Sequence, residues 1–413
     1  MNLVKLAHKL LDKPVNATII NSSERKIKKH LKNLKNTGDV IKVAFIVQMP
    51  EVWDKQRDTY EAMVEDARFD VWLVVVPSFN TKTLKRNDYG YEREYYRNKY
   101  PDGQFIDAVD NIGKVINLKD YHFDYVFYER PYDLYLPSKL RSSKVCGFSK
   151  VCYIPYSTPD FKVPDPLPIE NIYRSLYFGF INSKHRQDAI NRYIEQQGLK
   201  NRHIIDVGYP ILGYCNSIPE TDSDKVSIMW GPRWSYDAEM GGSHFVEYMY
   251  DFPKLTERFD NLSLIARPHP MTFPEMVRSG KMTEKEVEEY KEYIAKQGVI
   301  LDKNNMIEDT FKETDILISD LSSILWLFFF TGRPIIYCPC KIKLSPDLQQ
   351  LVDLMYVAES WEDVSGIIEK LLAGEDEMKE KREEFIKDYF RKYSNPVERI
   401  MELIIDDYNK AKE

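Results

Sequence analysis

Short apolar runs alternate with stretches of helical spacing along most of the chain. Residues 40–47 and 69–76 are nearly continuous apolar runs, and residues 53–66 between them carry apolar side chains at helical intervals. A continuous apolar run is typical of a parallel strand that is covered on both faces, because a strand with one face in water alternates apolar and polar residues. The chain therefore opens with a predicted strand–helix–strand unit of Rossmann type.

The same alternation continues through the rest of the chain. In the first half, strands are predicted at 125–128, 150–154 and 203–210, and helices over 171–200. In the second half, the predicted strands cover 226–230, 262–267, 299–301, 314–319 and 335–337. Helices are predicted there at 283–296, 306–313, 323–330, 361–372 and 376–393. No G-x-G-x-x-G motif follows the first strand, so the pattern does not indicate a dinucleotide cofactor.

Polar linkers and the strand pattern predict the domain boundaries. The expected organisation is a basic helical N-terminal arm at 1–38, Rossmann-like domains at 39–218 and 219–375, and C-terminal helices at 376–413 that are able to cross back to the first domain. The linker, 216–224, is rich in Ser, Pro and Asp. Two Rossmann-like domains facing each other across a cleft, with helical ends, predict an α/β protein of the GT-B-like class.

Charge is distributed unevenly along the 413 residues. Residues 1–37 carry nine Lys and Arg against two acidic residues, a net charge of +7, which leaves −14 for the rest of a chain whose total is −7. An acidic body argues against a protein that coats nucleic acid. The basic arm predicts either contact with the anionic inner surface of a membrane or a solvated helix packed on the next domain.

Apolar runs and cysteines indicate the compartment. Residues 1–6 lack the continuous apolar region of a secretory signal, and the longest apolar run, 324–330, is too short to span a bilayer. Five cysteines include a lone Cys338-x-Cys340 pair with no matching Cys or His pair nearby, which does not predict a zinc site. We therefore expect a cytoplasmic protein, either free or peripheral on the inner face of the membrane, without a bound metal.

The polar turn 319–323 stands between a predicted buried strand and a predicted apolar helix. It contains Ser319, Asp320, Ser322 and Ser323. Backbone N–H groups at a helix N-terminus have no partner inside the helix, so this turn suits an anion such as a phosphate. The alternative is an ordinary capping turn with Asp320 or Ser322 as N-cap.

Two other predicted strands of the second domain end in basic or imidazole side chains. Arg233 follows the first strand, and Arg267 and His269 lie at the end of the next. Arginine offers a planar fork of donors to phosphate oxygens, and histidine can donate a hydrogen bond or a proton. Together with the turn 319–323, these residues predict a pyrophosphate site.

Candidate ligand-binding residues of the first domain also follow predicted strand ends, where open α/β sheets bind their ligands. They are Glu129, Arg130, Tyr156, Ser157 and Asp160. A lone loop acid or tyrosine is more often structural, and this alternative stays open.

Three short motifs in the second domain resemble the donor domain of a known family. They are Arg267-Pro-His-Pro270, Ser319-Asp-Leu-Ser-Ser323 and Gly332-Arg-Pro-Ile-Ile-Tyr337. The family is that of the CDP-glycerol glycerophosphotransferases, which includes teichoic acid primases and polymerases. The resemblance covers residues 200–340 well, and the N-terminal half only in its general layout.

The resemblance implies a GT-B fold and transfer of glycerol phosphate, or a related polyol phosphate, from a CDP-activated donor to a lipid-linked or polymeric cell-envelope acceptor, with release of CMP. It also implies a membrane-associated cytoplasmic enzyme that needs no cofactor besides the CDP-glycerol or CDP-polyol donor and no essential metal. By position, His269, Ser322 and Ser323 would contact the donor phosphates, and Asp320 would fix the turn.

One departure from the family pattern concerns the first domain. Members carry a His-Gly pair after a strand there, and its histidine is proposed to deprotonate the acceptor hydroxyl. The corresponding stretch of this chain, 152–162, contains no histidine. Asp160, Tyr156 and His244 are the candidates to replace it, since general-base assistance is worth about 10²- to 10⁴-fold in rate.

Three other functions stay open on the sequence. A GT-B glycosyltransferase that uses a nucleotide sugar and a UDP-sugar 2-epimerase both place a Ser-rich turn before an apolar helix, although no convincing set of catalytic acids for an epimerase assembles in the first domain. The missing His-Gly pair also fits a non-catalytic polymer-binding protein. Donor binding and CMP release distinguish these alternatives.

Overall fold

The computed structural model describes residues 22–34, 38–80, 85–86, 90–132, 135–156, 171–221, 223–235, 242–304 and 306–412. Within these ranges the chain forms two compact units, each built on a parallel sheet. Unit 1 contains the described residues up to Tyr156, from 171 to Pro210, and from Asn395 onward. Unit 2 contains the described residues from Ile211 to Ser394.

The sheet of unit 1 has seven parallel strands. They are β1 (Ile41–Val47), β2 (Phe69–Val75), β5 (Gln104–Asp107), β6 (Tyr125–Tyr128), β7 (Lys150–Tyr153), β8 (Phe178–Ile181) and β9 (His203–Asp206). Their order is β5-β2-β1-β6-β7-β8-β9. β3 (Phe79–Asn80) and β4 (Lys85–Arg86) form a separate antiparallel pair.

Helices cover both faces of this sheet, which explains why its strands are nearly continuous apolar runs. They are α1 (22–33), α2 (Asp54–Glu65), α3 (Tyr91–Lys99), α4 (Ser142–Val145), α5 (Lys184–Gln196) and α16 (Pro396–Lys410). Ile27 of α1 belongs to the core on one face. Ile400 and Ile404 of α16 belong to the core on the other face.

Unit 2 repeats this architecture with six parallel strands. They are β10 (Val226–Gly231), β11 (Leu262–Ala266), β12 (Ile300–Leu301), β13 (Ile316–Ser319), β14 (Ile335–Tyr337) and β15 (Tyr356–Val357), in the order β12-β11-β10-β13-β14-β15. The helices are α6 (Ile211–Asn216), α7 (Phe245–Tyr248), α8 (Leu255–Arg258), α9 (Thr272–Arg278), α10 (Glu284–Lys296), α11 (Ile307–Lys312), α12 (Ser323–Phe329), α13 (Pro346–Val352), α14 (Trp361–Leu372) and α15 (Lys379–Lys392).

The prediction of helices throughout 171–200 is wrong. Phe178–Ile181 is strand β8, fully buried between β7 and β9, and α5 begins only at Lys184. A four-residue run of buried apolar residues lacks the length to show a period of its own, so only its neighbours in the sheet identify it. α5 begins where the Ser183 hydroxyl accepts a hydrogen bond from the Arg186 N–H.

Part of the basic arm is helix α1, which belongs to unit 1 and packs on its sheet. Ile27 is buried, and Lys26 Nζ donates to the Ser143 carbonyl at 2.5 Å. Glu24 pairs with Arg202 at 2.5 Å. The rest of the predicted arm, residues 1–21 and 35–37, lies outside the described residues. Among the described helices, none has the length and apolar character needed to cross a membrane.

Candidate active site

The predicted site residues of unit 2 gather where the strand order reverses. The chain passes from β10 to β11 on one side, and β13 pairs with the other side of β10. Open parallel sheets bind ligands beyond their carboxyl ends at this switch point. Arg233 follows β10, and Asp320 follows β13, so the topology alone brings these two residues together.

Asp320 is fully buried and connects three segments. Its Oδ2 accepts the Arg233 N–H at 3.1 Å, the His244 N–H at 3.1 Å and the Ser243 hydroxyl at 3.2 Å. Its Oδ1 lies 3.2 Å from His244 Nδ1. A buried carboxylate is stable only with such hydrogen bonds, so Asp320 fixes the loop after β10, the start of α7 and its own turn.

The three serines of the turn have different surroundings. Ser319 is buried, and its hydroxyl donates to the Gly231 carbonyl at 2.6 Å, which joins the ends of β10 and β13. Ser322 is the N-cap of α12 and accepts the Ile324 N–H at 3.3 Å. Ser323 is exposed at the first position of the helix. Of the three, Ser323 therefore presents its side chain to solvent.

The side chain of Arg233 is buried, and its guanidinium can still donate a further hydrogen bond. Its Nη1 donates to the Leu321 carbonyl at 3.1 Å. Its Nε is buried and has no hydrogen-bond partner in the described part of the chain. Buried donors are normally paired, so an anionic ligand at this edge would complete the bonding of the guanidinium.

His244 is held as a proton-binding group. Its Nδ1 faces the carboxylate of Asp320, and the hydrogen bond to Asp320 raises its pKa above the ordinary 6.5 although burial opposes this. Nδ1 therefore carries a proton and donates to Asp320. Nε2 lies 3.9 Å from Glu247 Oε2, so both ring nitrogens of His244 face carboxylates that favour the imidazolium.

His269 has the opposite character. Its Nδ1 accepts the Met271 N–H at 3.1 Å, which places the proton of the neutral ring on Nε2. Burial against neighbouring protein atoms and, second, the charge of Arg233 lower its pKa below 6.5. Although the residue as a whole is exposed, its ring lies 5.9 Å, centroid to centroid, from that of Trp234. His269 is therefore a neutral Nε2–H donor at neutral pH.

Arg267 serves mainly as a structural residue. Its Nη1 bonds to Asp302, to the Thr310 hydroxyl at 3.1 Å and to the Asn304 carbonyl at 3.0 Å. Asp302 is itself almost fully buried. These bonds join the ends of β11 and β12 and leave Arg267 less free than Arg233 to hold a phosphate.

Glu129, at the switch point of unit 1, resembles Asp320 in its bonding. It follows β6 and its Oε2 accepts the N–H groups of Gln48 and Met49, which follow β1, at 2.8 and 2.9 Å. The Tyr96 hydroxyl donates to Oε1 at 3.2 Å. Burial raises the pKa of Glu129 to about 7, against the opposing charge of Arg130.

The other predicted residues of unit 1 are described only in part. The Tyr156 hydroxyl lies 2.9 Å from that of Tyr132. Ser157 and Asp160 lie outside the described residues. Sequence reasoning did not single out Gln48, although its position directly after β1 is a signal. It also missed Glu92, whose burial depends on tertiary packing and leaves no signal in the sequence.

In the described part of the chain, no group of three or more His, Cys, Asp or Glu residues is placed to hold a metal ion. At the carboxyl edge of the unit 2 sheet, Arg233 and His244 supply positive charge, and His269 and Ser323 supply hydrogen-bond donors.

Solved structures confirm the predicted fold class. The UDP-GlcNAc 2-epimerase from Neisseria meningitidis has a TM-score of 0.57 at 10% identity, covering 89% of this chain and 100% of that chain. The wall teichoic acid polymerase TagF has a TM-score of 0.50 at 14% identity, covering 100% of both chains. At these identities the likeness shows the fold alone, an α/β, GT-B-like fold of two Rossmann-like units.

Fold and site together define a GT-B-like enzyme. The carboxyl edge of the sheet in its second unit carries basic side chains and hydrogen-bond donors. The family model described as CDP-Glycerol:Poly(glycerophosphate) glycerophosphotransferase matches residues 197–406, and the chain belongs to this family. This confirms the resemblance found in the sequence motifs and the prediction of a transferase. Comparison with curated proteins gives no match.

Proposed function

We propose that the chain transfers glycerol phosphate, or a related polyol phosphate, from a CDP-activated donor to a hydroxyl group of a cell-envelope polymer and releases CMP. The family match over residues 197–406 supports the reaction type. A TagF structure obtained with CDPG, at 13% identity and a TM-score of 0.50, gives a family-related precedent for the donor. Unit 2 is the donor-binding part.

The observation that carries this proposal is the buried Asp320 and the groups it orients. Asp320 binds the N–H groups of Arg233 and His244, so both side chains start from fixed backbone at the carboxyl edge. Preorganised charge of this kind is what phosphoryl transfer requires of a protein, since the reaction needs positioning and neutralisation rather than covalent catalysis.

The bond changes are those of an in-line displacement. The acceptor hydroxyl oxygen forms a bond to the β-phosphorus, which carries the polyol, while the bond from this phosphorus to the bridging oxygen breaks. CMP leaves with that oxygen, and the hydroxyl proton passes to a base. Arg233 and protonated His244 neutralise the charge that develops on the departing phosphate, and His269 Nε2–H donates to a phosphate oxygen.

A base must accept the proton of the acceptor hydroxyl. Asp160 and Tyr156 stay predictions for this role. His244 would serve as base only in its unprotonated form, and its bond to Asp320 raises its pKa and so disfavours that form. The geometry therefore favours His244 as the charge-neutralising residue.

The test is CMP release by the purified chain with CDP-glycerol, CDP-ribitol and UDP-sugars as donors and lipid-linked acceptors. We expect the chain to release CMP when a CDP-polyol is the donor. His269→Ala should lower the turnover rate by about 10²-fold or more, because a hydrogen-bond donor to the phosphate is lost. The melting temperature should not change, since His269 is exposed.

His185→Ala is the matched control and should keep full activity, because His185 lies on α5 of unit 1. Near-normal turnover of His269→Ala would remove His269 from the mechanism. Tight binding of a UDP-sugar with no binding of either CDP-polyol would favour the glycosyltransferase alternative. Donor binding without CMP release on any acceptor would favour a non-catalytic polymer-binding protein.

A further inference from the structure

The ring of His244 is held so that one of its nitrogens has a fixed direction. Nδ1 lies 3.2 Å from Asp320 Oδ1, and the imidazole stacks on the ring of Tyr248, with centroids 5.2 Å apart and an interplanar angle of 17°. Asp320 is fully buried, and Tyr248 is nearly so. Because both neighbours are anchored in the interior, Nε2 is the ring nitrogen that remains for a ligand.

Glu247 lies on the Nε2 side of this ring. It belongs to α7, three residues after His244, and its Oε2 is 3.9 Å from His244 Nε2. Its side chain is 67% exposed, and within the described residues it forms an ion pair with His244 alone. A ligand oxygen can therefore replace the carboxylate at Nε2, because an exposed ion pair contributes little stability.

A phosphate oxygen bound to the Nε2–H group of His244 would lie close to Glu247. A charge-assisted hydrogen bond places that oxygen about 2.8 Å from the nitrogen. Glu247 Oε2 already lies on the same side, at 3.9 Å. The carboxylate can turn toward solvent, but its position on α7 keeps it near the phosphate. Glu247 therefore repels every phosphate charge that binds at His244.

The charge of a cytidine nucleotide depends on whether its last phosphate is substituted. In a CDP-polyol the polyol substitutes the last phosphate, so the molecule carries about two negative charges. CDP and CTP end in a free phosphate whose second pKa is about 6, so they carry about three and about four charges near pH 7. A site made of Arg233 and His244 alone would bind CTP more tightly than the donor, because attraction to cations grows with ligand charge.

We propose that Glu247 is a specificity-determining residue that disfavours nucleotides ending in a free phosphate, such as CDP and CTP, relative to a CDP-polyol. The inference rests on the proposed donor function and deepens it, since it states which cytidine nucleotides the same site rejects. Arg233 and His244 attract the donor, and repulsion by Glu247 limits the charge of the ligand that binds. Discrimination between similar ligands commonly uses a repulsive group besides the attractive ones.

The experiment is calorimetric titration of the full chain with CDP-glycerol, CDP and CTP at pH 7 and low ionic strength. EDTA is present, so that no divalent cation neutralises the phosphates. Glu247→Gln should raise the affinity more for each additional ligand charge, by about threefold for CDP-glycerol, about fivefold for CDP and about tenfold for CTP.

The substitution should leave the rest of the site in place. Glu247 is exposed, so the melting temperature of Glu247→Gln should equal that of the unchanged protein. Asp320 is the first cause of the raised pKa of His244, and Glu247 is the last. The main stabilisation of the imidazolium therefore remains in the variant.

Glu257→Gln is the matched control, since it removes the same charge from an exposed position of α8, which leads into the amino end of β11. It should change the three affinities by less than about twofold, because distant surface charges are screened. An equal factor for all three nucleotides in Glu247→Gln would overturn the assignment, as would the same graded gain in Glu257→Gln.

The three titrations also separate this assignment from the proposed function. If the unchanged protein binds CDP and CTP but not CDP-glycerol, the proposed function fails. A graded gain for CDP and CTP in Glu247→Gln would still support the repulsion by Glu247 in that case. If CDP-glycerol binds and the gain is not graded, the role of Glu247 fails and the donor function stands.

Discussion

His244 and His269 of unit 2 have opposite proton affinities, and local bonding explains both. The carboxylate of Asp320 raises the pKa of His244, whereas burial and Arg233 lower that of His269. Two titratable groups whose pKa values are pushed apart take different parts in a reaction. His244 is suited to hold a positive charge, and His269 is suited to donate a hydrogen bond as a neutral ring.

We expect donor affinity to fall as pH rises, because His244 loses its proton. Its folded pKa lies above 6.5, so more than half of the rings are charged at pH 6.5, and this charge is lost as pH rises through the raised value. The diphosphate of a CDP-polyol stays ionised across this range. Calorimetric titration with CDP-glycerol from pH 6 to 9 should show about tenfold weakening.

In His244→Asn the affinity should be low at every pH and lose this dependence. His185→Asn, on α5, should keep the profile of the unchanged protein. If the affinity of His244→Asn for CDP-glycerol still falls as pH rises, a group other than His244 is responsible for the pH dependence.

Local sequence order determined which site residues were predictable. Arg233 and Asp320 each follow a strand, so the strand pattern was enough to predict that they meet. Arg267 also follows a strand, but its partner Asp302 lies after β12 and is recognisable only once β11 and β12 are seen to pair. Hydrogen-bond partners distant in sequence are the information that a strand pattern does not contain.

At the scale of elements, long periodic segments were predicted well and short buried ones poorly. Trp361–Leu372 is a helix with the predicted bounds, started by a capping box at Ser360 and Asp363. β8 was missed because its four apolar residues are too few to separate a strand from a helix turn. Its neighbours β7 and β9 supply the evidence that the sequence lacks.

Helix α1 supports a prediction about membranes. Its buried side carries Ile27, while Arg25, Lys28, Lys29 and Lys32 are exposed. We propose that this face contacts anionic lipid. Each basic residue near such a surface contributes about 1 kcal/mol, so replacing the three lysines by Gln should weaken binding to phosphatidylserine vesicles by about 100-fold.

A sedimentation assay with vesicles at low salt would measure this binding, which should also decline with ionic strength. Replacement of the exposed Lys281, Lys285 and Lys296 by Gln is the control of equal charge. If both triple variants lose binding equally, net charge and not the face of α1 explains the attraction.

At the scale of the molecule, helices α1 and α16 belong to the same unit although they are more than 360 residues apart in the sequence. α16 packs on the sheet of unit 1, where Asp407 accepts from the Tyr125 hydroxyl at 2.6 Å and the Tyr177 hydroxyl at 2.7 Å. Asp407 also pairs with the buried Lys150 at 2.5 Å. Burial, followed by the charge of Asp407, raises the pKa of both tyrosines above the ordinary value. This cluster fixes the last helix to strands β6 and β7.

Asp407→Ala should therefore lower the free energy of unfolding by about 3 kcal/mol, because Lys150 is left buried without its partner. Chemical denaturation followed by circular dichroism measures the change. Asp406→Ala, at the exposed neighbouring position, should change it by less than about 0.5 kcal/mol. Equal effects of the two substitutions would show that the cluster does not stabilise the fold.

The buried acids Glu129 and Asp320 bear on how the ligand preference of such a protein can change during evolution. Glu129 accepts the N–H groups of Gln48 and Met49, which follow β1, and Asp320 accepts those of Arg233, after β10, and His244, before α7. The side chains of Tyr132 and Trp234, at the carboxyl edges of the two sheets, take no part in these hydrogen bonds. Either residue can therefore be substituted while the hydrogen bonds of Glu129 and Asp320 remain. A chain built in this way can acquire new ligand preferences by few substitutions while each sheet edge keeps its shape.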